Sequence, residues 1–216
     1  MNVDEFGLPI IPDAVNVSQR KREAIIEAAK AEFLKEGYTA ASVDAIASRA
    51  GVSKPTIYKH FGNKERLFLA VIGGILPQTY AHLEPCKSKI AQADDLRAAL
   101  IGLMTEWAEI LLRPDIMALR RLVIGEIDRF PQLGRAWYGI SDKMNNVPLV
   151  EAFEILHERG RISVPDPALA VRQLVASTIG VPQLIRTFDG DAEVDLQGII
   201  TSGVDLFLAR YGTAPP

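Results

Sequence analysis

Residues 42–64 read SVDAIASRAGVSKPTIYKHFGNK, and three capping signals divide them into short helices. Ser42, Ser53 and Asn63 each precede helix-forming residues, where a side-chain oxygen can accept an unpaired N–H of the first turn. The spacing predicts helices over about 43–50 and 54–61, and a third opening after Asn63 with Glu65 in its first turn. Gly51 supplies the residue that tolerates a left-handed backbone between the first two. Val52 follows it and can bury against both. Ala47 is small enough for close approach, and Ile46 and Ile57 complete a small apolar core. Two short helices meeting through a glycine turn have the layout of a helix-turn-helix.

With Ile57 turned inward, the second helix presents Lys54, Thr56, Tyr58, Lys59 and His60 outward. That face offers donors for phosphate, a methyl and hydroxyl for base edges, and an aromatic to lie along a sugar-phosphate chain. Pro55 in the first turn costs no hydrogen bond and stiffens the end that would enter a groove. Lys64 stands at the positive end of the next helix, where unpaired amides and an ammonium can converge on one phosphate.

Charge distribution agrees. The 216-residue chain carries a net charge of −3. Residues 18–66, however, hold ten Lys and Arg against six acids, so the remainder carries −7. A basic module on an acidic body is expected where one end of a protein meets phosphate. The single cysteine, Cys86, cannot form an intrachain disulfide and suits a reducing compartment. The first thirteen residues lack the basic start and apolar run of a signal peptide. Leu67 to Leu76, read as the longest nearly apolar stretch, is too short to span a bilayer. A cytoplasmic protein is expected, without a membrane partner and associated with the nucleoid when bound to DNA.

The expected class is all-α: an N-terminal three-helix helix-turn-helix domain followed by a larger helical domain for ligand binding and dimerisation, about nine helices in total. Residues 1–17, with Pro9 and Pro12 and no periodicity, read as a flexible arm. Residues 18–66 form the DNA-binding domain, with the helix-turn-helix at about 42–61, and 67–216 the second domain. Ser18 is expected to cap a first helix that ends at Glu36 before Gly37. Pro77 to Lys89 reads as a connection. Further helices are expected from Asp94 or Asp95 to about Leu112 and from Pro114 to Phe130. A weaker segment runs from Pro131 to Gly160, interrupted near Pro148. Two more run from Asp166 to about Arg186 and from Asp191 to just before Gly212. No strict two-residue alternation appears, so no sheet is expected.

The pattern Ala47-x-x-Ala50-Gly51-Val52-Ser53-x-Pro55-Thr56-Ile57-Tyr58-x-His60-Phe61-x-x-Lys64-Glu65-x-Leu67 closely resembles the signature of the TetR family of transcriptional regulators. Upstream, Ile25 to Gly37-Tyr38, with Ala28-Ala29 and Phe33, resembles it too. Together the match covers about residues 20–70. The resemblance implies that Tyr58 and Lys64 hold phosphates, that Lys54, Pro55 and Thr56 approach bases, and that Ser42 caps against the backbone. Lys59 stands at a variable position of the family. Arg120-Arg121-Leu122-Val123-Ile124-Gly125-Glu126 to Phe130-Pro131-x-Leu133 resembles the proteobacterial-type TetR C-terminal domain. A dimer through the last two helices is also implied.

Leu103, Met104, Trp107, Trp137 and Tyr138 are candidate walls of a ligand pocket, with Arg120, Arg121, Glu126, His157 and Gln183 as its polar groups. Val171, Leu174 or Val175, Thr178, Pro182 and Ile185 form one stripe and Ile199 or Ile200, Gly203 and Phe207 another, read as a four-helix dimer seam. His82, Glu84 and Cys86 are too few to make a metal site, and the 189–193 acids lack calcium-loop spacing. No phosphate loop, nucleophile elbow or HExxH appears, so neither a metal, a cofactor nor an enzyme is expected. The reading is a homodimeric repressor released from a pseudo-palindromic double-stranded operator by an unidentified small-molecule effector. The alternatives are an activator with the same DNA head, and a helical small-molecule-binding protein or enzyme.

Overall fold

The computed structural model describes residues 3–9, 17–80 and 86–213. Among these the regular elements are helical, and the extended pairs Val3–Pro9 and Ile162–Gly212 are isolated. The helices are α1 (Val17–Ala40), α2 (Val43–Ala50), α3 (Lys54–Phe61), α4 (Lys64–Tyr80), α5 (Cys86–Ala91), α6 (Leu96–Leu111), α7 (Pro114–Glu126), α8 (Pro131–Ser141), α9 (Val147–Glu158), α10 (Pro167–Val175), α11 (Val181–Phe188) and α12 (Leu196–Tyr211). Two wide π turns, Asp142–Asn146 and Ala176–Gly180, join α8 to α9 and α10 to α11 without a break.

Several boundaries differ from the expected ones. Helix α1 opens at Val17, so Ser18 lies inside its first turn instead of capping it. Helix α4 continues through Pro77, and α5 occupies part of the stretch read as a connection. The segment after Pro131 is not interrupted, because Pro148 falls in the first turn of α9, where a missing N–H costs nothing. The last helix opens at Leu196, capped by Asp195 through the N–H of Gly198 at 2.9 Å, and not at Asp191.

The chain divides into two compact units, and neither follows the expected boundary at residue 66. The first comprises Met1–Thr79 with Ala118–Ile140. Its core joins Ile25, Ala29 and Phe33 of α1 to Ile46 of α2, Ile57 and Phe61 of α3, and Leu67, Phe68 and Ile72 of α4. An aromatic cluster extends it: Tyr38 lies 4.9 Å, ring to ring, from both Phe68 and Phe130.

Residues 3–9 belong to this unit and are folded, contrary to the arm expected over 1–17. The Asp4 carboxylate accepts the N–H groups of Phe6 and Leu8 at 2.9 and 2.8 Å, closing a tight local turn. Leu8 is buried on Gly73 of α4, where a Cβ would stand 3.2 Å from its Cδ1. Phe6 lies on Gly139 of α8, where a Cβ would come within 2.3 Å of its ring. Proline-rich sequence hides this because the anchors are two isolated residues, Phe6 and Leu8, without periodicity.

The second unit comprises Tyr80–Met117 with Ser141–Pro216. Helix α12 packs against α6, α10 and the second π turn. Gly203 permits that approach: a Cβ there would lie 2.7 Å from Thr178 Cγ2 and 2.9 Å from the Ser177 carbonyl oxygen. The rod Pro167–Phe188, 22 residues with an 18-residue window of mean hydropathy 1.3, is long and apolar enough to cross a membrane by length and composition. It therefore exceeds Leu67–Leu76 as the chain's apolar stretch. Within the fold it is a two-sided helix: Val171, Leu174 and Thr178 are buried, while Leu184 and Phe188 are exposed.

Candidate nucleic-acid interface

The capping expected from residues 42–64 is present. Ser42 Oγ accepts the Ala45 N–H and Ser53 Oγ the Thr56 N–H, both at 3.3 Å, and Asn63 Oδ1 accepts the Arg66 N–H at 2.8 Å. Gly51 has φ 64° and ψ 32°, the left-handed conformation that lets α3 turn away from α2. Gly37 also has positive φ, 75°, and breaks α1 before Tyr38. These devices fix α3 with Ile57 and Phe61 buried and Pro55, Tyr58 and Lys59 exposed. Lys54, Thr56, His60 and Lys64 are half-buried at the edge of the same surface.

Three of these side chains are already engaged. Lys54 Nζ donates to Asp44 Oδ2 at 2.9 Å, an exposed pair that raises the lysine's pKa. Contact with a base edge would exchange one partner for another. The Thr56 and Ser53 hydroxyls lie 2.8 Å apart, which leaves the Thr56 methyl as its apolar feature. Burial, followed by the charges of Arg22, Lys59 and Lys21, holds the His60 imidazole below its ordinary value. His60 is therefore neutral near pH 7, where its ring offers hydrogen-bonding groups and no charge. Lys64 Nζ donates to the Thr39 carbonyl at 3.1 Å and sits 5.0 Å from the Tyr38 ring centre. It is thus held at the start of α4, beside α3.

The expected pocket residues divide between the units. Arg120, Trp137 and Tyr138 belong to the first; Leu103, Met104, Trp107, His157 and Gln183 belong to the second. Leu103, Met104 and Trp107 are buried on α6. Tyr138 is 60% exposed, and His157 is exposed with Nδ1 accepting the Val164 N–H at 3.2 Å. His157 closes a local turn, so these two do not serve as buried pocket groups. Gln183 is half-buried in α11, where its carbonyl accepts the Thr187 hydroxyl at 2.7 Å. Sequence reasoning missed Asn145, which is buried in the first π turn. Its Oδ1, like the Trp107 indole N–H, has no hydrogen-bond partner. Buried polar atoms of this kind mark places where a ligand or water can enter. Cys86 is buried too, its thiol pushed up to about 11 by desolvation, which makes it a poor nucleophile. His82 and Glu84 lie outside the described residues.

The expected dimer seam requires a correction. Val171, Leu174, Thr178, Pro182, Ile200, Gly203 and Phe207 are buried within the protomer, and Phe207 lies 5.0 Å from the Phe153 ring. Of that set only Ile185 is exposed. A helix lays its most regular apolar stripe on its own core first. Among the exposed apolar residues of α10 to α12, which also include Leu169 and Val181, the most uncovered are Leu184 (57% exposed), Phe188 (85%) and Leu206 (65%).

Residues 25–71 match the family described as bacterial regulatory proteins, tetR family, and residues 98–213 match the AefR-like transcriptional repressor, C-terminal domain. The transcriptional activator FasR of Mycolicibacterium smegmatis is 50% identical over 52 residues, 24% of either chain. The transcriptional regulator TtgR of Pseudomonas putida is 34% identical over 95 residues, 44% of this chain and 45% of TtgR. The chain thus matches less than half the length of these curated relatives. A TetR-family regulator from Mesorhizobium loti MAFF303099 superposes with TM-score 0.84 at 34% identity, over 92% of this chain and all of that one. The capped helix pair, the glycine turn and the two matched segments belong together: this chain is a member of the TetR family of bacterial transcriptional regulators, with an AefR-like C-terminal domain.

Proposed function

We propose that the protein is a homodimeric DNA-binding repressor, released from a pseudo-palindromic operator by a small-molecule effector. The observation that carries this reading is the outward face of α3, held by Ser53 and Gly51, with Ile57 and Phe61 anchored beneath it. Two such helices in a dimer read successive major grooves about 34–36 Å apart, or a multiple of that. Tyr58 and Lys64 hold phosphates; Lys54, Pro55 and Thr56 approach bases. Ser42 and Ser53 act through the backbone, and Lys59 and His60 flank the contact. The match to a repressor's C-terminal domain supports the sign of regulation, and a reporter driven by the bound promoter distinguishes repression from activation.

The second protomer covers Leu184, Phe188 and Leu206. A shallow hollow formed by α12 alone, from Gln197 to Ala209, includes Leu206. The effector occupies the helical unit. Trp107 Nε1 and Asn145 Oδ1, both buried in that unit without a partner, are its candidate donor and acceptor. An effector alters DNA affinity only by its differential affinity for the DNA-competent and released arrangements.

The division of labour on α3 and α4 has a direct test. Tyr58→Phe and Lys64→Ala weaken binding to all duplexes alike, because phosphates carry no sequence information. Thr56→Ala changes the ranking of operator variants, by about 1–3 kcal/mol at the affected position. Fluorescence anisotropy on an operator-variant panel decides it. Uniform losses across the panel for all three variants contradict these roles.

A further inference from the structure

We propose that Arg129, outside the helix-turn-helix, holds a backbone phosphate of the DNA next to the one at Lys64, the two cations being set around Tyr38 as a pair. The inference rests on the reading of α3 and the start of α4 as the DNA-binding surface, and it extends that surface to the turn between α7 and α8.

Three contacts place the pair. Lys64 Nζ lies 5.0 Å from the centre of the Tyr38 ring, and the Arg129 guanidinium carbon lies 4.6 Å from the same centre. Arg129 also lies 5.4 Å from the Phe130 ring. The platform is rigid. Tyr38 is buried among Phe33, Phe68 and Phe130, and Phe130 is buried in turn. The turn carrying Arg129 is closed by the N–H groups of Arg129 and Phe130, which donate to the Glu126 carbonyl at 3.1 and 2.8 Å. An arginine stacked on fixed rings loses little further rotamer freedom when it binds an anion, and its planar fork suits phosphate.

Electrostatics point the same way. The Lys64 ammonium is held below its ordinary value, first by desolvation and then by Arg129; Glu126 and Glu32 pull in the opposite direction and less strongly. Glu32 is also committed elsewhere, accepting the Ser42 N–H at 3.0 Å. Two cations that disfavour each other are relieved by an anion between or beside them. Continuity with Lys64 makes that anion a phosphate of the same duplex.

The test is a salt series of DNA affinity for the full-length protein and two variants. Arg129→Met keeps an apolar stem over Tyr38 and removes the charge, while Arg129→Lys keeps the charge. Loss of one phosphate contact per protomer removes two per dimer. The slope of log affinity against log salt should flatten by about 1.8 in Arg129→Met and stay near wild type in Arg129→Lys. The affinity deficit of Arg129→Met is then about tenfold larger at 50 mM than at 200 mM salt. Unchanged thermal melting of the variants confirms folding. A wild-type slope in Arg129→Met, with or without a uniform loss of affinity, overturns the phosphate contact and leaves the DNA-binding reading intact. A wild-type protein that shows no salt-dependent DNA binding overturns both. In a parallel arm, chloride is replaced by inorganic phosphate at equal ionic strength. Extra competition in wild type that disappears in Arg129→Met supports the contact, because free phosphate then displaces DNA at Arg129; phosphate binding at Arg129 that leaves DNA affinity unchanged assigns the pair to free phosphate and overturns it.

Discussion

A Phe188→Glu, Leu206→Glu double variant should be monomeric at micromolar concentration and bind operator DNA about 10²–10⁴-fold more weakly, the avidity lost when two linked sites become one. Both residues are largely exposed in the protomer, at 85% and 65%, so the substitutions leave its interior untouched. In a dimer they would be covered, and each glutamate would then have to lose its hydration without a partner. The obvious alternative, Phe207→Glu, answers a different question. Phe207 is buried between Phe153 and Tyr211, and a carboxylate there disrupts the protomer's own core. Sedimentation velocity with a far-UV spectrum separates loss of assembly from loss of fold. A double variant that remains dimeric at micromolar concentration places the interface elsewhere.

Ile57→Ala should abolish operator binding while leaving the dimer assembled. Ile57 is fully buried and is one of the two residues that seat α3 on the rest of the head. Truncating a buried isoleucine costs about 2–5 kcal/mol, a large share of what a small helical head can spare. The outward residues of α3 are chemically unchanged, so lost binding would report lost presentation. Hydrogen exchange should show α2 and α3 losing protection before α6 and α12, and sedimentation should stay dimeric. Wild-type affinity for operator in this variant contradicts the account of how α3 is held.

The head was legible in the sequence because its signals are local. Ser42, Ser53, Asn63 and Gly51 act within four residues of themselves, and each capping bond and the positive φ follow from residue type. The proposed dimer face was not legible, since periodicity detects the most regular apolar stripe and that stripe serves the protomer's core. The π turn at Ala176–Gly180 widens the helix by one residue, so a stripe begun at Val171 emerges exposed at Ile185. Asn145 escaped for a similar reason: an asparagine in a polar DKMNN run reads as surface, and only the π turn carries it inside. Leu8 and Arg129 depend on single long-range contacts, with Gly73 and Tyr38, which leave no periodic trace. The pocket candidates chosen for aromatic character alone mixed buried Trp107 with exposed Tyr138.

The most direct test of the central claim is selection of bound sequences from a pool of randomised duplexes, using the full-length protein. The account predicts enrichment of an inverted repeat whose half-sites are spaced by about one helical turn or a multiple of it. It also predicts affinity for that repeat at least about 10³-fold above affinity for shuffled DNA at the same salt. No enrichment over the starting pool, or equal binding to selected and shuffled duplexes, would contradict it.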